Sequence, residues 1–533
     1  MAWWSPASAL TASAQDPGPV LAAAATVDRV VVWSADRDLR GLVARGRVPA
    51  RILDLAEAHR LLVGGWRADP DRIWARVHGL ERGEIPQMAP DDLFAALTAP
   101  QPAEDLTTAA GYLRPDAVDG DWLTSPGRLL EWARAAYECG LATWAALGEL
   151  GPRAQACAIS ESAAAVLCLE LERDGLPVDR DQLESLIAAS AGERPRDLAH
   201  ARQLRAERDA RVLAHAPAFG EVDLRNPAQV KAMLLGLGIE VSSTRKWHLE
   251  PYREAHPVVP ALLTWRAQER IATTYGYAWL DAHVGADDRL RGGWTACDGA
   301  AGRMTAQNGL HNLPAVLRPA VRAAPGHRLV RADLGQIEPR VLACVSQDAA
   351  FAAATEAADL YAPVAQRLGV ERRVAKVAVL AAMYGQRSGT AGAALSGLQR
   401  AYPVAMGFLD RAYEHGSAGK DLRTYGGRRI RTAGSADAGG RGRYARNALI
   451  QGAAAELFKA WASTVRVAVR DLDAEIVLCL HDELLVHTPQ QHADECARRV
   501  GEALTEAARR WSGDAPVRFV TDAAIIERWS EAK

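Results

Sequence analysis

Arg331-Ala332-Asp333-Leu334-Gly335-Gln336-Ile337-Glu338-Pro339-Arg340-Val341-Leu342-Ala343 is the stretch around which this chain is organised. Leu329 and Val330 lead into it as a buried strand, with Asp333 at the strand's end and a helix beginning near Gln336. Pro339 fits only in a first helical turn, where backbone amides lack an intrahelical partner. A carboxylate at a strand end in an apolar frame is costly to bury unless a cation satisfies it. Taken alone, Asp333 reads as a helix N-cap. A second carboxylate of the same kind, Asp482, changes that reading.

Asp482 lies in Ile476-Val477-Leu478-Cys479-Leu480-His481-Asp482-Glu483-Leu484-Leu485-Val486-His487-Thr488, which reads as a tight β-hairpin with His481, Asp482 and Glu483 in its turn. Aspartate is common in turns because its side chain bonds nearby amides. Apolar strands on both sides place this turn in a sheet, where the Asp333 strand can be its neighbour. Two aspartates on adjacent strands can hold a pair of Mg²⁺ ions about 4 Å apart, the geometry of two-metal phosphoryl transfer. Mg²⁺ prefers one or two carboxylates plus water and phosphates, so such a site implies a polyphosphate substrate.

A third stretch, 371–385, places Arg372, Lys376, Leu380 and Tyr384 four residues apart. On a helix they form one stripe, about 6 Å between neighbours. Two cations followed by an apolar and an aromatic position suit a triphosphate at one end and a base at the other. The competing reading is a solvated basic face. Against it, the chain has only six lysines, and Lys376 is the only one between 246 and 420. The neighbours Val374, Ala375, Val377 and Ala378 also argue against solvent. Arg423, Arg428, Arg429, Arg431, Arg441, Arg443 and Arg446 form a further cluster, interleaved with glycine, that suits a phosphate backbone or a solvated loop equally.

The 533 residues suffice for two to four domains. With 49% hydrophobic and 24% charged residues, composition is that of an ordinary soluble protein. A net charge of −2 gives no global basic field, so a nucleic acid would be met by local patches. Seven scattered cysteines, without a metal-binding spacing, fit a reducing cytoplasm. No apolar run reaches the ~18 residues of a membrane span. The N-terminus has no basic region of a signal peptide, and cytoplasmic localisation is expected.

Along the chain, Val30–Trp33 reads as a strand, 80–125 as loops with short helices, and Leu129–Leu147 as a helix with Trp132, Ala136 and Leu141 inward, broken by Pro152. A helix from Ser160 ends at Gly175, Asp179 caps the next, and 180–215 is helical. Asn226 opens a short helix, and 257–285 forms another. Residues 346–440 are mostly helical, followed by helices at about 443–469 and 490–511 and a last strand at Phe519–Ala523.

Together the motifs resemble the bacterial DNA polymerase I family (family A), in a short, actinobacterial-type form. Its D-Y-S-Q-I-E-L-R stands as Asp333 to Arg340, its R-x-x-x-K-x-x-x-F-x-x-x-Y-G as Arg372, Lys376, Leu380, Tyr384 and Gly385, and its H-D-E as His481, Asp482 and Glu483. Ala301–Thr305 is similar to T-G-R-L-S and Leu310–Pro314 to L-Q-N-I-P. The resemblance covers about 160 to 533. It implies an α/β multi-domain chain: an RNase H-like, degenerate 3′–5′ exonuclease-type domain (1–155), then a right-hand polymerase. Thumb helices would span 156–290, the palm 291–345 and 441–533, and the fingers 346–440.

The same resemblance implies roles. Asp333 and Asp482 would bind two Mg²⁺ with Glu483 assisting. Arg372 and Lys376 would hold the triphosphate, and Lys376 would protonate pyrophosphate. Leu380, Tyr384, Gln336 and Glu338 would line the nucleotide, with Glu338 excluding a 2′-hydroxyl. Arg303, Arg443, Asn447, Gln451 and His481 would contact primer and template. Partners would be primer–template DNA and deoxynucleoside triphosphates, with no membrane, for a monomer. Departures are Leu380 for an aromatic, Leu334, Gly335 and Pro339 for Tyr, Ser and Leu, and Tyr361 for a phosphate-binding His. In the N-terminal block Asp38 matches one metal aspartate, no D-x-E precedes it, and Y-x-x-x-D becomes Trp132 and Ala136. One surviving carboxylate cannot assemble a two-metal nuclease, so this domain reads as structural. No 5′-nuclease domain is expected. The rival readings are an inactive nucleic-acid-binding homologue and a polymerase with residual 3′–5′ exonuclease.

Overall fold

The computed structural model describes residues 2–12, 16–49, 51–87, 104–220, 222–385, 391–434 and 437–532. The chain forms two compact units. One comprises 1–174, 293–307 and 326–526, the other 175–292, 308–325 and 527–533.

The first unit is built on a four-stranded antiparallel sheet. Its central strand β1 (His327–Leu334) buries Val330, Ala332 and Leu334 on one face. On the other face Leu329 is buried, Arg331 is partly covered and Asp333 reaches the open end. Helix α1 (Ile337–Ser346) follows a left-handed Gln336 at φ 56° and carries Pro339 in its first turn, as expected. Helix α2 (Arg372–Tyr384) ends at Gly385, whose φ of +71° closes the helix in the left-handed region. The long helix α3 (Ala438–Ala468) starts inside the expected glycine loop. Strands β2 (Glu475–Leu480) and β3 (Glu483–Pro489) form the expected hairpin, but its turn is only His481-Asp482, and Glu483, expected in the turn, opens β3 paired with Leu480. Helix α4 (Ala493–Ser512) and strand β4 (Thr521–Ile526) complete this part, in the sheet order β2-β3-β1-β4.

Buried charge ties this unit together. Lys459 of α3 and Arg428 of the 422–430 hairpin both hold Glu161, with Arg428 Nη2 at 2.7 Å from Glu161 Oε2. The three side chains are at most 2% exposed. Burial alone would raise the Glu161 carboxyl, but the two cations hold it below its ordinary value. Arg340 of α1 is also fully buried, and it is satisfied by carbonyls. Its guanidinium donates to Gly335, Thr355, Ala357, Ala358 and Arg518 at 2.6–3.0 Å.

Several expectations change in the N-terminal part. The helix expected from Leu129 spans Pro126–Glu149; Trp132 and Ala136 are buried in it, but Leu141 is 58% exposed. Pro152 does not merely end that helix. It opens the next, Pro152–Asp174, whose first turn tolerates proline. That helix is long and apolar enough by composition to cross a membrane, contrary to the expectation of no such run, and 67% of its apolar window is buried in the fold. Val30–Val32 pairs in parallel with Ile52–Asp54. Part of the expected 80–125 loop region, 88–103, lies outside the described residues. All seven cysteines are free and buried.

The second unit is helical. Asp179 caps Arg180–Ala191 and Asn226 caps Pro227–Gly236, both as expected. The expected 180–215 helix is broken at Gly192, whose φ of +91° ends the first segment. The expected 257–285 helix is likewise two, Val258–Thr274 and Tyr277–His283. Val212, Val230, Met233, Leu234, Leu262 and Trp265 share its core. Glu269 and Asp209 hold Arg225 at 2.7 Å each, fastening three segments at the rim of that core.

Candidate functional site

Register, not proximity in sequence, assembles the carboxylates. Asp333 of β1 stands opposite Glu483 of β3 on one side and Asp522 of β4 on the other. Three acidic side chains therefore cross three strands in one row at the open end of the sheet. Asp482, in the adjoining turn, is bound to β1 through its own carbonyl, which accepts from Leu334 N at 2.7 Å. Burial first, and then the Asp333 and Glu483 charges, push the Asp482 carboxyl up to about 6. Asp333 is raised in turn by burial, an effect that Arg331 opposes and that Glu483 and Asp522 reinforce. The two aspartates predicted to act together thus lie in each other's field.

Among the described residues, no group of three or more His, Cys, Asp or Glu side chains could hold a metal ion by itself. Asp333, Asp482, Glu483 and Asp522 offer an open set of hard oxygen donors at one end of the sheet, with the proton affinity of Asp333 and Asp482 raised. That donor chemistry suits Mg²⁺ completed by water and substrate phosphates. Two members of the cluster escaped the sequence reading. Asp522 sits in a strand recognised only for its apolar content, and Arg331 two residues before Asp333 shares its face. The period-2 rule could have exposed Arg331; nothing local marks Asp522.

Helix α2 presents the expected stripe. Arg372, Lys376 and Tyr384 are exposed and Leu380 is half-buried, while Ala375, Ala378, Val379 and Met383 face the core. Val374 and Val377 are exposed too, so the expectation that they shield Lys376 from solvent is wrong. Arg372 is engaged within the chain: Nη2 donates to Asp359 Oδ1 at 3.2 Å, and Nε reaches the other carboxylate oxygen. Gln336 Nε2 donates to the same Oδ1 at 3.0 Å, and its Oε1 accepts from Leu360 N at 2.8 Å. Asp359 thus gathers two expected nucleotide-binding side chains. Tyr361 is buried beside them, its phenol pushed up to about 12 mainly by burial.

Tyr384 Oη donates to Glu338 Oε2 at 3.2 Å. Burial raises the Glu338 carboxyl, the Tyr384 bond and the Arg303 charge oppose that rise, and Gln451 bonds Tyr384. Four expected site residues from β1–α1, α2, α3 and the 303–306 strand therefore converge. Arg443 is exposed on α3, with its stem against Gly385; Asn447 is half-buried; His481 is exposed with φ 41°.

The arginine cluster is largely used inside the fold. Arg428 and Arg446 are buried, Arg446 Nη1 donating to Asp410 at 3.0 Å. Arg423 and Arg431 donate to the carbonyls of Leu62 and Val63, Arg429 pairs with Asp421, and Arg441 donates to Ser417 O. A buried guanidinium needs acceptors, and these were supplied by distant segments that the sequence pattern did not reveal.

The carboxylate row at the open end of an antiparallel sheet and the cationic stripe of α2 belong to one compact unit. The sequence model described as DNA polymerase family A matches residues 199–531, and the chain belongs to that family. It is 31% identical over 318 residues to DNA polymerase I of Chloroflexus aurantiacus, covering 53% of this chain and 33% of that protein. To DNA polymerase I of Deinococcus radiodurans it is 27% identical over 374 residues, covering 61% and 37%. The chain thus spans about a third of the length of these relatives. In fold it is similar to the POL domain of Pol1 from M. smegmatis, solved in complex with DNA primer-template and dNTP. The TM-score is 0.67 at 22% identity, covering 93% of this chain and 86% of that one.

Proposed function

We propose that the chain is a DNA-directed DNA polymerase, adding deoxynucleotides to a primer 3′-hydroxyl. The observation that carries this reading is the bond from Leu334 N to Asp482 O at 2.7 Å, which sets the β2–β3 turn carrying Asp482 beside the strand end carrying Asp333. Primer–template DNA and deoxynucleoside triphosphates, the ligands with which the M. smegmatis domain was solved, are the partners we infer. In this reading the sheet is the palm, the 346–440 helices the fingers and the second unit the thumb.

Asp333 and Asp482 would hold two Mg²⁺ ions, which when bound lower the pKa of the primer hydroxyl and stabilise the leaving oxygen. The chain's own residues do the rest. Arg372 exchanges Asp359 for the triphosphate, and Lys376, one turn further along, binds the same phosphates and gives a proton to the departing pyrophosphate. Glu338, held by Tyr384, closes the sugar side of the pocket against a 2′-hydroxyl. Arg303 and Gln451, beside that pair, meet the primer terminus and template, with Arg443, Asn447 and His481 along the same path.

The N-terminal domain serves as structure. Asp38 accepts from Trp33 N at 2.8 Å, and Trp132 and Ala136 fill the core beside Trp33. That environment leaves Asp38 capping a turn.

Primer extension with deoxynucleotides tests the proposal. Extension by the chain and its loss in Asp482→Ala are expected; DNA binding without extension would identify an inactive homologue. Degradation of a mismatched 3′ end, without nucleotides, would reveal residual exonuclease.

A further inference from the structure

The carboxylate row holds a cation of its own. Arg331 lies two residues before Asp333 on β1, so both project from the same face. In its own row Arg331 has Leu485 and Ala524, neither of which can accept a hydrogen bond from it through a side chain. The guanidinium reaches one row further, into the acids. Nε and Nη2 both donate to Glu483 Oε2, at 3.1 and 2.9 Å, and Nη2 stands 3.3 Å from Asp333 Oδ2. The Arg331 and Glu483 side chains are only 12% and 14% exposed. Arginine does not discharge at any physiological pH, so this positive charge is permanent.

The consequence is a division of labour among neighbouring acids. With Glu483 gripped by Arg331, the carboxylates left to face an ion are Asp333, half-neutralised by the same guanidinium, Asp482 and Asp522. We propose that Arg331 is a positioning residue that takes Glu483 as its partner, keeping it from acting as an ion ligand, and holds down the affinity of the DNA-free chain for divalent cations. The proposal rests on the polymerase reading. It makes ion binding wait for the phosphates of the incoming substrate, whose negative charge outweighs the resident guanidinium. Without Arg331, four carboxylates around one sheet end would attract a divalent ion with no nucleotide present.

The test is Mn²⁺ binding to the full chain, free of DNA and nucleotide, followed by the loss of the free-ion paramagnetic resonance signal at pH 8. Removing a cation beside a divalent-ion site relieves direct repulsion, so Arg331→Met and Arg331→Gln are expected to bind Mn²⁺ at least about tenfold tighter than the parent. Arg331→Lys keeps the charge and is expected to match the parent. Arg331→Gln, which retains polar contact with Glu483, serves should Arg331→Met not fold. Asp482→Asn must lose Mn²⁺ binding. If it does, and both neutral Arg331 variants bind like the parent, the Arg331 proposal is overturned while the polymerase reading stands. If Asp482→Asn binds Mn²⁺ like the parent, the ion lies elsewhere and both fall.

Discussion

Tyr384 and Glu338 are joined by a hydrogen bond of 3.2 Å that links the last turn of α2 to the first turn of α1. The two residues are far apart in the chain, and neither helix specifies the other. The bond fixes a carboxylate at the mouth of the proposed nucleotide pocket. A hydrogen bond to a charged group contributes about 1.5–3 kcal/mol. Tyr384→Phe should therefore let Glu338 swing aside. Ribonucleotide incorporation relative to deoxynucleotide should rise roughly 10-fold or more, and Glu338→Ala should raise it further. Single-nucleotide primer extension with paired ribo- and deoxynucleotides measures both.

Asp482 sets a pH dependence. Its carboxyl is raised to about 6 by burial and by the neighbouring Asp333 and Glu483 charges. The ionised form is the one that can serve a cation, so primer extension should fall as pH drops through about 6. The stability effect has the opposite sign. A carboxyl raised in the folded state binds its proton more tightly there than in the unfolded chain. Its destabilising effect is absent below the unfolded value and grows as pH rises through 6. Asp482→Asn should abolish extension yet stabilise the metal-free chain at pH 8, by about 1–2 kcal/mol after allowance for partial exposure. The gain should vanish in melts recorded near pH 4.

Glu161 should be intolerant of neutralisation. It lies between Arg428 and Lys459, all three removed from water. Removing one partner of a buried ion pair costs about 3–5 kcal/mol, because the remaining charge is left uncompensated. Glu161→Gln is expected to lower the urea midpoint accordingly with an unchanged slope. A double variant, Glu161→Leu with Lys459→Met, should recover part of that loss, since a matched apolar pair removes the stranded lysine; Arg428 limits the recovery.

Arg340 links stability to the proposed nucleotide site. Its guanidinium collects the carbonyls of 355, 357 and 358, just before Asp359. Asp359 in turn binds Gln336 and Arg372. Arg340→Met leaves several buried carbonyls unsatisfied and should destabilise the fold by at least about 3 kcal/mol. Where the variant remains folded, KM for the deoxynucleotide should rise more than kcat falls, because the segment carrying Asp359 loses its anchor. Steady-state extension under varied nucleotide concentration separates the two parameters.

Much of the local structure is legible in the sequence. The buried strand leading to Asp333, the apolar runs flanking His481-Asp482, the four-residue stripe of α2 and the caps at Asp179 and Asn226 each depend on nearby residues alone. A strand's period, a turn's preferences and a helix's pitch are short-range properties. Sequence and structure part where distant packing decides the outcome. Periodicity places Leu141 inward, yet it is exposed. The apolar character of Val374 and Val377 suggests shielding, yet both face solvent. The arginines at 428 and 446 suit a surface by pattern, whereas Glu161 and Asp410 draw them inward.

The sequence by itself determined that Asp333 ends a strand and that Asp482 turns a hairpin, because each follows from backbone preferences within a few residues. Only the tertiary structure decided that Asp333 lies between Glu483 and Asp522, with Arg331 holding two of the three acids. Register between strands far apart in the chain is chosen by which faces can be buried together. Whether a charge ends in water or in a protein pair depends on the partners that this choice brings near.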